Sequence, residues 1–221
     1  MNHPTDINNV QAEERQAVAT ATAQARRILL HVGCGLARPE RLPVCFHGPE
    51  WKEIRVDIDP RCQPDIIASI TDLSPVEDGS VDAVWSSHNI EHLNSYEVPA
   101  ALEEFRRVLK SAGFLLLTLP DIRAVARYIA EDRLDEPLYQ SAMGPITPLD
   151  IVFGHQDSLQ RGNHYMAHRT AFTSSTLGQA LIDAGFEEVR VHEGRRWDLW
   201  AVATMPDTAP DLFEQMEGVI R

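Results

Sequence analysis

The chain has 221 residues, of which 43 % are hydrophobic and 24 % are charged, and its formal net charge is −13. This length and composition are typical of one globular domain with short appendages. The negative charge disfavours binding to nucleic acids and to anionic membranes, because both require a basic face that neutralises phosphates. We therefore expect a small-molecule substrate, and a protein that is a monomer or a homodimer.

The N-terminal part predicts a helix. Residues 8–27 are rich in Ala, Glu and Gln and contain no Gly or Pro, so residues 1–27 are predicted to form an N-terminal helical extension. The first residues lack the basic and apolar regions of a signal peptide, and Cys34, Cys45 and Cys62 have no CxxC spacing. These features favour a cytoplasmic protein without a disulfide framework or a zinc knuckle.

Short apolar runs separated by turn residues follow and predict a parallel sheet. The runs lie at 28–32, 54–58, 66–70, 83–86 and 114–119. Continuous rather than alternating hydrophobicity in the first and last runs indicates strands that are covered on both faces. Between the last two runs, residues 95–113 place apolar side chains at helical spacing and end at Gly113, which predicts a crossover helix.

The region after the fifth strand differs in composition. Residues 121–173, called the insertion below, begin with a predicted helix at 122–132 and then become rich in Pro, Gly, His and aromatic residues. A connection of this length inside a compact domain is typical of a binding element or a lid. A helix capped by Ser174 and Gly185 and strands at 186–193 and 197–205 are predicted next, so that the main domain spans 28–205 and a C-terminal tail spans 206–221.

Two strand ends carry the residues of a predicted nucleoside site. Gly33 and Gly35 follow the first strand, and Asp57 ends the second. In an open parallel sheet, ligands bind at the carboxyl ends of the strands, and a glycine-rich turn lets a ligand approach the backbone closely. A carboxylate at the neighbouring strand end can accept hydrogen bonds from both hydroxyls of a ribose.

The order of these features resembles that of class I S-adenosylmethionine-dependent methyltransferases, of the type 11 kind. The segments that match the family's motifs are HVGCG, VDID, TDL, VDAVWSSHNIEHL and RRVLKSAGFLLLTLPD. The resemblance covers residues 28–120 closely and extends loosely to 205. It implies an α/β fold with a Rossmann-like seven-stranded sheet, three α/β/α layers and a lid insertion after the fifth strand. It also implies S-adenosylmethionine as the cofactor and methyl transfer as the reaction.

The resemblance further implies which residues contact the cofactor. The glycine turn would lie against the aminoacyl end, Asp57 would hold the ribose hydroxyls with Ile58 beside the adenine, and Asp72 would accept from the adenine amino group. Ser87 and His88 would flank the methionine and the sulfonium. The complete implied set is Gly33, Cys34, Gly35, Asp57, Ile58, Asp72, Leu73, Ser87 and His88.

The sequence departs from the family pattern on both sides of the glycine turn. His31 stands two positions before Gly33, where the family commonly has an acidic residue, so we expect a weaker or water-mediated contact with the cofactor's ammonium group. Pro39 and Pro43 cannot extend a normal helix. A loop or short irregular segment is therefore expected in place of the first helix, which would leave the cofactor pocket more open.

Methyl transfer from a sulfonium depends mainly on alignment and desolvation, and it needs a base only when the acceptor is protonated. Histidine is the natural candidate for that base. We take His88, His155 and His168 as catalytic candidates, the last two because the family often builds its acceptor site in this region. For any of them, and for His164, the alternative is a hydrogen bond within its own loop.

Metal binding is the weaker interpretation of these histidines. His88 and His92 bracket Glu91, and a minority of quinone-biosynthesis relatives hold a divalent ion with acidic residues and this histidine. The alternative is that His92 packs against and caps the helix beginning there, and we expect no metal. A zinc site from His155, His164 and His168 would lack a thiolate and close spacing.

Two further functions stay open at this stage. One is a non-catalytic protein that binds S-adenosylmethionine or S-adenosylhomocysteine, an interpretation that His31 favours. The other is a nucleotide-sugar or NAD-dependent enzyme, although GCGLA lacks the third glycine and the helix start that a pyrophosphate needs. Cys34 is interpreted as a small side chain beneath the cofactor rather than as a nucleophile.

Overall fold

A computed structural model describes residues 26–36, 38, 40 and 42–220. The strands are β1 (Arg27–Val32), β2 (Trp51–Asp57), β3 (Ile66–Ile67), β4 (Val81–Ser87), β5 (Leu109–Pro120), β6 (Tyr139–Ser141), β7 (Gly144–Ile146), β8 (Val189–Glu193) and β9 (Asp198–Thr204). The helices are α1 (Val98–Val108), α2 (Ile122–Ala130), α3 (Pro148–Phe153), α4 (Gln156–Gln160), α5 (Ser174–Asp183) and α6 (Leu212–Met216). The predicted N-terminal helix lies outside the described residues, apart from its last two positions.

Seven of the strands form one sheet in the order β3-β2-β1-β4-β5-β9-β8. Strands β1 to β5 pair in parallel, whereas β9 runs antiparallel to both of its neighbours, β5 and β8. This arrangement confirms the predicted seven-stranded Rossmann-like sheet. No helix in the described part of the chain is long and apolar enough to cross a bilayer.

Both faces of the sheet are covered, which explains why the central strands are apolar throughout. On one face, Leu102 and Phe105 of α1 and Leu177 of α5 join Leu30 of β1 in a buried cluster. On the other face, Leu29 packs in a second cluster with side chains from the C-terminal segment. The buried residues of that segment are Leu212, Phe213, Met216 and Ile220. The segment predicted as a tail is therefore part of the core.

The crossover helix is shorter than predicted, because α1 ends at Val108 rather than at Gly113. Leu109 already pairs with Val81, and the register then shifts so that Phe114 pairs with Ala83, which is an irregularity in the pairing of β4 with β5. A Cβ on Gly113 would lie 3.1 Å from the carbonyl oxygen of Asp82. Gly113 therefore permits a close approach of two strands and does not cap a helix.

The described residues after the cofactor turn have the irregular form that was predicted, whereas the insertion differs from its predicted form. The described residues between β1 and β2 form a 3₁₀ turn at Val44–Phe46, which follows Pro43. They form no α-helix. Pro39 lies outside the described residues. The insertion contains α2, the β6–β7 hairpin, α3 and α4, where a helix followed by a loop was predicted. Thr147 and Asp150 form a capping box that starts α3.

Candidate functional site

The glycine turn follows β1 and brings the backbone close to a side chain from the end of β4. Gly33 and Gly35 have φ values of +61° and +58°, a conformation that L-residues with side chains rarely adopt. A Cβ on Gly33 would overlap the side-chain amide of Asn89, whereas a Cβ on Gly35 would have no atom within 4 Å. The turn thus exposes backbone at the carboxyl edge of the sheet.

Asp57 connects this turn to the end of β2. Its Oδ2 accepts a hydrogen bond from the Gly35 N–H at 2.8 Å, and its Oδ1 accepts one from the Asp59 N–H at 2.9 Å. The backbone N–H of Cys34 donates to the carbonyl oxygen of Val56 at 3.1 Å. The two strand ends are therefore side by side, and each Asp57 oxygen keeps a lone pair for a further donor.

A cavity of about 360 Å³ opens at this edge. Five of the predicted cofactor residues line it, one of which is also a catalytic candidate, together with residues 68–71 and parts of the insertion. The predicted residues at its wall are Gly33, Gly35, Asp57, Ile58 and His88. Its volume falls in the range of about 300–1,000 Å³ that small-molecule sites occupy.

Two predicted adenine-loop residues lie outside the cavity wall. Leu73 is fully buried in the core, and its N–H donates to Glu104 Oε2 at 2.6 Å. The exposed Asp72 side chain accepts from the Ser74 N–H at 3.1 Å. The chain turns into the core after Thr71, so residues 68–71 face the cavity in their place. Asp72 and Leu73 therefore do not line the cavity, and their implied contacts with the adenine stay a prediction.

Cys34 and Ser87 are near the site but are not part of the cavity wall. The Cys34 thiol is half-buried and donates weakly to the Gly35 carbonyl oxygen at 3.5 Å. Burial raises its pKa to about 12, with nearby acidic groups adding to this and Arg55 opposing it. Ser87 ends β4, paired with Thr118. Cys34 is thus held as a neutral thiol, which agrees with its interpretation as a small structural side chain.

We expect alkylation by iodoacetamide at about pH 8 to modify Cys62 before Cys34 and Cys45. Burial raises the pKa of all three thiols, to about 12 for Cys34 and about 11 for Cys45, which leaves almost no thiolate on those two, and Cys62 in addition lines the cavity. Peptide mass spectrometry with and without S-adenosylhomocysteine measures the order and the protection of Cys62. Modification of Cys34 at the rate of a free thiol would contradict this description.

His88 is the catalytic candidate that the structure places at the cavity. It leaves β4 with a left-handed backbone, φ +47°, and its N–H donates to the carbonyl oxygen of Thr118 at 2.8 Å. Its Nδ1 lies 3.3 Å from Glu91 Oε1. Partial removal from water opposes the charged form of His88, whose side chain is still 47 % exposed, but contact with the Glu91 carboxylate outweighs it and raises the pKa of the imidazole.

His155 is separated from the cavity by its own local contacts. It is 9 % exposed, and its Nδ1 pairs with Ser158 Oγ at 2.8 Å at the start of α4. This is the local hydrogen bond that was the alternative to a catalytic role. His155 therefore does not line the cavity, and its catalytic role stays a prediction.

His168 lies in a group with His92 and Glu91. The rings of His92 and His168 meet edge to face with their centroids 4.9 Å apart, and Glu91 is buried beside them. Burial lowers the pKa of His168. Burial would raise the pKa of Glu91, but contact with His88 and the charges of His88, His92 and His168 lower it. The structure thus places His168, from the insertion, beside Glu91 and His92. In the sequence, His168 instead groups with His155 and His164.

Several cavity residues were missed or left without a role in the sequence. Asn89 lies between Gly33 and the cavity, and its Nδ2 is buried without a hydrogen-bond partner in the described chain. The insertion contributes Asn163, Met166 and, from the region already noted, Tyr165 and Arg169. An unpartnered buried donor beside an exposed backbone turn fits a ligand that carries an acceptor such as a carboxylate.

His31 does not line the cavity. Its Nδ1 pairs with Glu53 Oε1 at 2.7 Å, and its ring lies 6.5 Å from that of Trp85. A direct contact of this side chain with the cofactor's ammonium group is therefore not part of the site that the structure shows.

Comparison with known proteins agrees with this geometry. Residues 30–117 match the family model described as a methyltransferase domain. The matched segment includes the end of β1, all of β2, β3, β4 and α1, and most of β5, and so contains the glycine turn, Asp57 and His88. No curated protein sequence is significantly similar to the chain.

Solved structures share the fold at low sequence identity. A SAM-dependent methyltransferase from Archaeoglobus fulgidus is 18 % identical, with 90 % of this chain and 94 % of that chain covered and a TM-score of 0.52. A SAM-dependent methyltransferase from Methanosarcina mazei is 15 % identical, with coverage of 85 % and 97 % and a TM-score of 0.52. A protein from Pyrococcus horikoshii is 14 % identical, with coverage of 91 % and 92 % and a TM-score of 0.57.

The family match covers the strands and turns that form the nucleoside end of the cavity, and the shared fold extends over most of the chain. Residues 30–117 therefore match the methyltransferase-domain family, and the chain shares its fold with S-adenosylmethionine-dependent methyltransferases.

Proposed function

We propose that the enzyme transfers the methyl group of S-adenosylmethionine to a small molecule held between the strand ends and the insertion. The observation that carries this proposal is that strand-end residues and insertion residues line the same cavity. Gly33 and Asp57 line one wall, and Tyr165 and Arg169 of the insertion line the other, with His88 also at the wall. A volume of about 360 Å³ suits small ligands rather than a folded partner.

The strand-end wall provides groups that match the cofactor. We propose that the Gly33–Gly35 turn and the free Asn89 amide hold the aminoacyl end, and that Asp57 accepts from the ribose hydroxyls. Ile58 and residues 68–71 would then enclose the adenine, in place of the contacts first assigned to Asp72 and Leu73. When bound, the cofactor supplies an activated methyl group, so the protein contributes alignment and exclusion of water.

His88 is proposed as the base for an acceptor that carries a proton on its nucleophilic atom. The Glu91 carboxylate beside Nδ1 favours the tautomer with a proton on that nitrogen. Nε2 is then the basic atom, and it takes a proton from a hydroxyl or ammonium acceptor as the methyl group transfers. Glu91 acts here as a positioning residue, since it touches the imidazole and not the acceptor.

We expect His88→Asn to lower kcat by roughly 100-fold or more, which is the scale for losing a positioned base. Asparagine tolerates the left-handed backbone at this position, so the fold and the affinity for S-adenosylhomocysteine are expected to change little. The control is His192→Asn on β8, an exposed histidine outside the cavity wall. Unchanged kcat in His88→Asn would show that this side chain is not the base.

The acceptor class can be tested without knowing the acceptor. The protein is incubated with methyl-labelled S-adenosylmethionine and a cell extract that has been divided into small-molecule and macromolecular fractions. Label that enters only the small-molecule fraction supports the proposal, and label confined to the macromolecular fraction contradicts it. Saturable cofactor binding without transfer to either fraction would favour the non-catalytic binding protein instead.

The cellular setting is part of the same proposal. The three cysteines are unpaired, which suits the reducing cytoplasm, and the strongly negative charge disfavours a nucleic-acid substrate. A monomer or a homodimer is proposed, and sedimentation analysis of the purified protein distinguishes the two.

A further inference from the structure

Three side chains from two distant parts of the chain form what we call the Glu91 cluster: Glu91, His92 and His168. Each offers one ligand atom, and these atoms all lie within 4.8 Å of one another. Glu91 and His92 belong to a 3₁₀ turn after β4, whereas His168 comes from the end of the insertion. The grouping is thus produced by the fold and not by sequence spacing.

Glu91 is an unusual component of a protein interior. Its side chain is 2 % exposed, and neither of its carboxylate oxygens has a hydrogen-bond partner in the described chain. A buried charge without partners is strongly destabilising unless a cation or a metal ion compensates it. The Nδ1 of His88 lies within ion-pair distance of Glu91 Oε1, at 3.3 Å, but His88 is 47 % exposed, so it compensates the buried Glu91 charge only in part.

Both histidines are oriented with a free nitrogen. His92 Nδ1 lies 3.1 Å from the carbonyl oxygen of Ala167, and His168 Nδ1 lies 2.7 Å from that of Ile151. A carbonyl only accepts, so each Nδ1 carries the proton and each Nε2 has its lone pair in the neutral ring. Metal-binding histidines typically show this arrangement, in which the second nitrogen donates to a carbonyl or carboxylate.

Backbone hydrogen bonds hold the turn that carries Glu91 and His92 against the segment that carries His168. The N–H groups of Arg169 and Thr170 both donate to the carbonyl oxygen of Glu91, at 2.8 and 3.2 Å. The His168 N–H donates to the carbonyl oxygen of Phe153 at 3.2 Å. The three side chains are therefore held near one another before any ion binds, which reduces the entropic cost of forming a site.

We propose that the Glu91 cluster binds one divalent transition-metal ion of the Zn²⁺ class, through a Glu91 oxygen and the Nε2 atoms of His92 and His168. Two imidazoles and a carboxylate suit Zn²⁺ and its first-row neighbours, whereas Mg²⁺ and Ca²⁺ prefer oxygen ligands alone. Ligand atoms in a tetrahedral site with bonds of about 2.1 Å lie about 3.4 Å apart, so side-chain movements of the order of 1 Å close the site. This proposal replaces the expectation that no metal binds.

At this position, a bound ion would both face the cavity and connect two parts of the chain. His92 lines the cavity, so the ion would lie at the cavity wall, and three protein ligands leave a position for water or for an acceptor atom. Because His168 belongs to the insertion, the ion would also join the insertion to the end of β4. The ligand set is Glu91, His92 and His168, with the more exposed His88 outside it.

The test measures binding of ZnSO₄ to the full chain, prepared free of metal, by isothermal titration, with Co²⁺ absorption as the readout of coordination. We expect one Zn²⁺ per chain and a tetrahedral or five-coordinate Co²⁺ spectrum. His168→Asn is the key variant, because the asparagine amide still donates to the Ile151 carbonyl oxygen but has no Nε2. It is expected to weaken Zn²⁺ binding by roughly 100-fold or more and to abolish the Co²⁺ spectrum.

Two further variants complete the test. Glu91→Gln preserves shape and should weaken Zn²⁺ binding similarly, whereas the exposed His164→Asn, in the same segment, should leave it within about threefold. The proposal is overturned if the protein does not bind one equivalent of Zn²⁺. It is also overturned if His168→Asn binds Zn²⁺ as tightly as the unchanged protein, because the ion would then be an adventitious ion at the surface. These measurements use no cofactor and no methyl acceptor, so they are independent of the proposed reaction.

Discussion

Asp57→Ala is expected to weaken the binding of S-adenosylhomocysteine by about 1–3 kcal/mol, or roughly 5- to 150-fold. The substitution removes the carboxylate that would accept from the ribose hydroxyls and that holds the N–H groups of Gly35 and Asp59. Isothermal titration of the purified protein measures the change. The loss has two sources, a missing acceptor and a loosened glycine turn, and both act on the same ligand.

The control for this substitution is Asp65→Asn, which alters an exposed carboxylate at the same edge of the sheet. Asp65 accepts from the Arg55 N–H at 2.8 Å and does not line the cavity. We expect its affinity for S-adenosylhomocysteine to stay within about twofold of the unchanged protein, since exposed charges contribute little. Equal losses in the two variants would mean that general electrostatics, and not Asp57, determines affinity.

Gly33→Ala and Gly35→Ala are expected to differ in stability while both impair cofactor binding. Each places a side chain at a positive φ, at a cost of about 1–2 kcal/mol. Only the Gly33 variant also overlaps Asn89, which adds about 1–3 kcal/mol of overpacking. Thermal unfolding should therefore show a drop in Tm of roughly 4–15 °C for Gly33→Ala and about half of that for Gly35→Ala.

The binding measurement separates the two roles of this turn. Both glycines line the cavity, so a methyl group at either one occupies space that the cofactor would use. We expect Gly35→Ala to keep most of its stability and still to lose at least tenfold in affinity for S-adenosylhomocysteine. Normal affinity in a well-folded Gly35→Ala variant would show that the cofactor does not lie against the turn.

The sheet could be predicted because its signals are local. Continuous apolar runs, three of which are followed by Gly, Asp or Ser, marked the strands and also their carboxyl ends, where the cavity is. The end of α1 was wrong, since Gly113 is compatible both with a helix cap and with a close approach of two strands. The pairing of Leu109 with Val81 decided between them, and that contact is not encoded in the neighbouring residues.

The site was predictable where it depends on strand ends and not where it depends on loops. Gly33, Gly35 and Asp57 come together because β1 and β2 are neighbours in the sheet. Asp72 was placed in the site by its motif, but a turn of a few residues directs Leu73 into the core and Asp72 to the surface. Loop geometry of this kind depends on tertiary packing, here on the contact with Glu104.

The Glu91 cluster shows what sequence spacing could not provide. Glu91 and His92 attracted attention as neighbours of His88, and His168 was considered with His155 and His164. The fold instead brings His168 to His92, with the insertion attached through backbone hydrogen bonds to Glu91. The available signal was the density of histidines in two segments, and pairing them correctly required the sheet and the insertion together.

The central claim is that one nucleoside is held between the glycine turn and Asp57, and a crystal structure with S-adenosylhomocysteine tests it most directly. We predict adenosine in the cavity, with its ribose hydroxyls within hydrogen-bond distance of the Asp57 oxygens and its aminoacyl end along Gly33 and Gly35. A ligand bound elsewhere, or a ribose that makes no contact with Asp57, would contradict the claim.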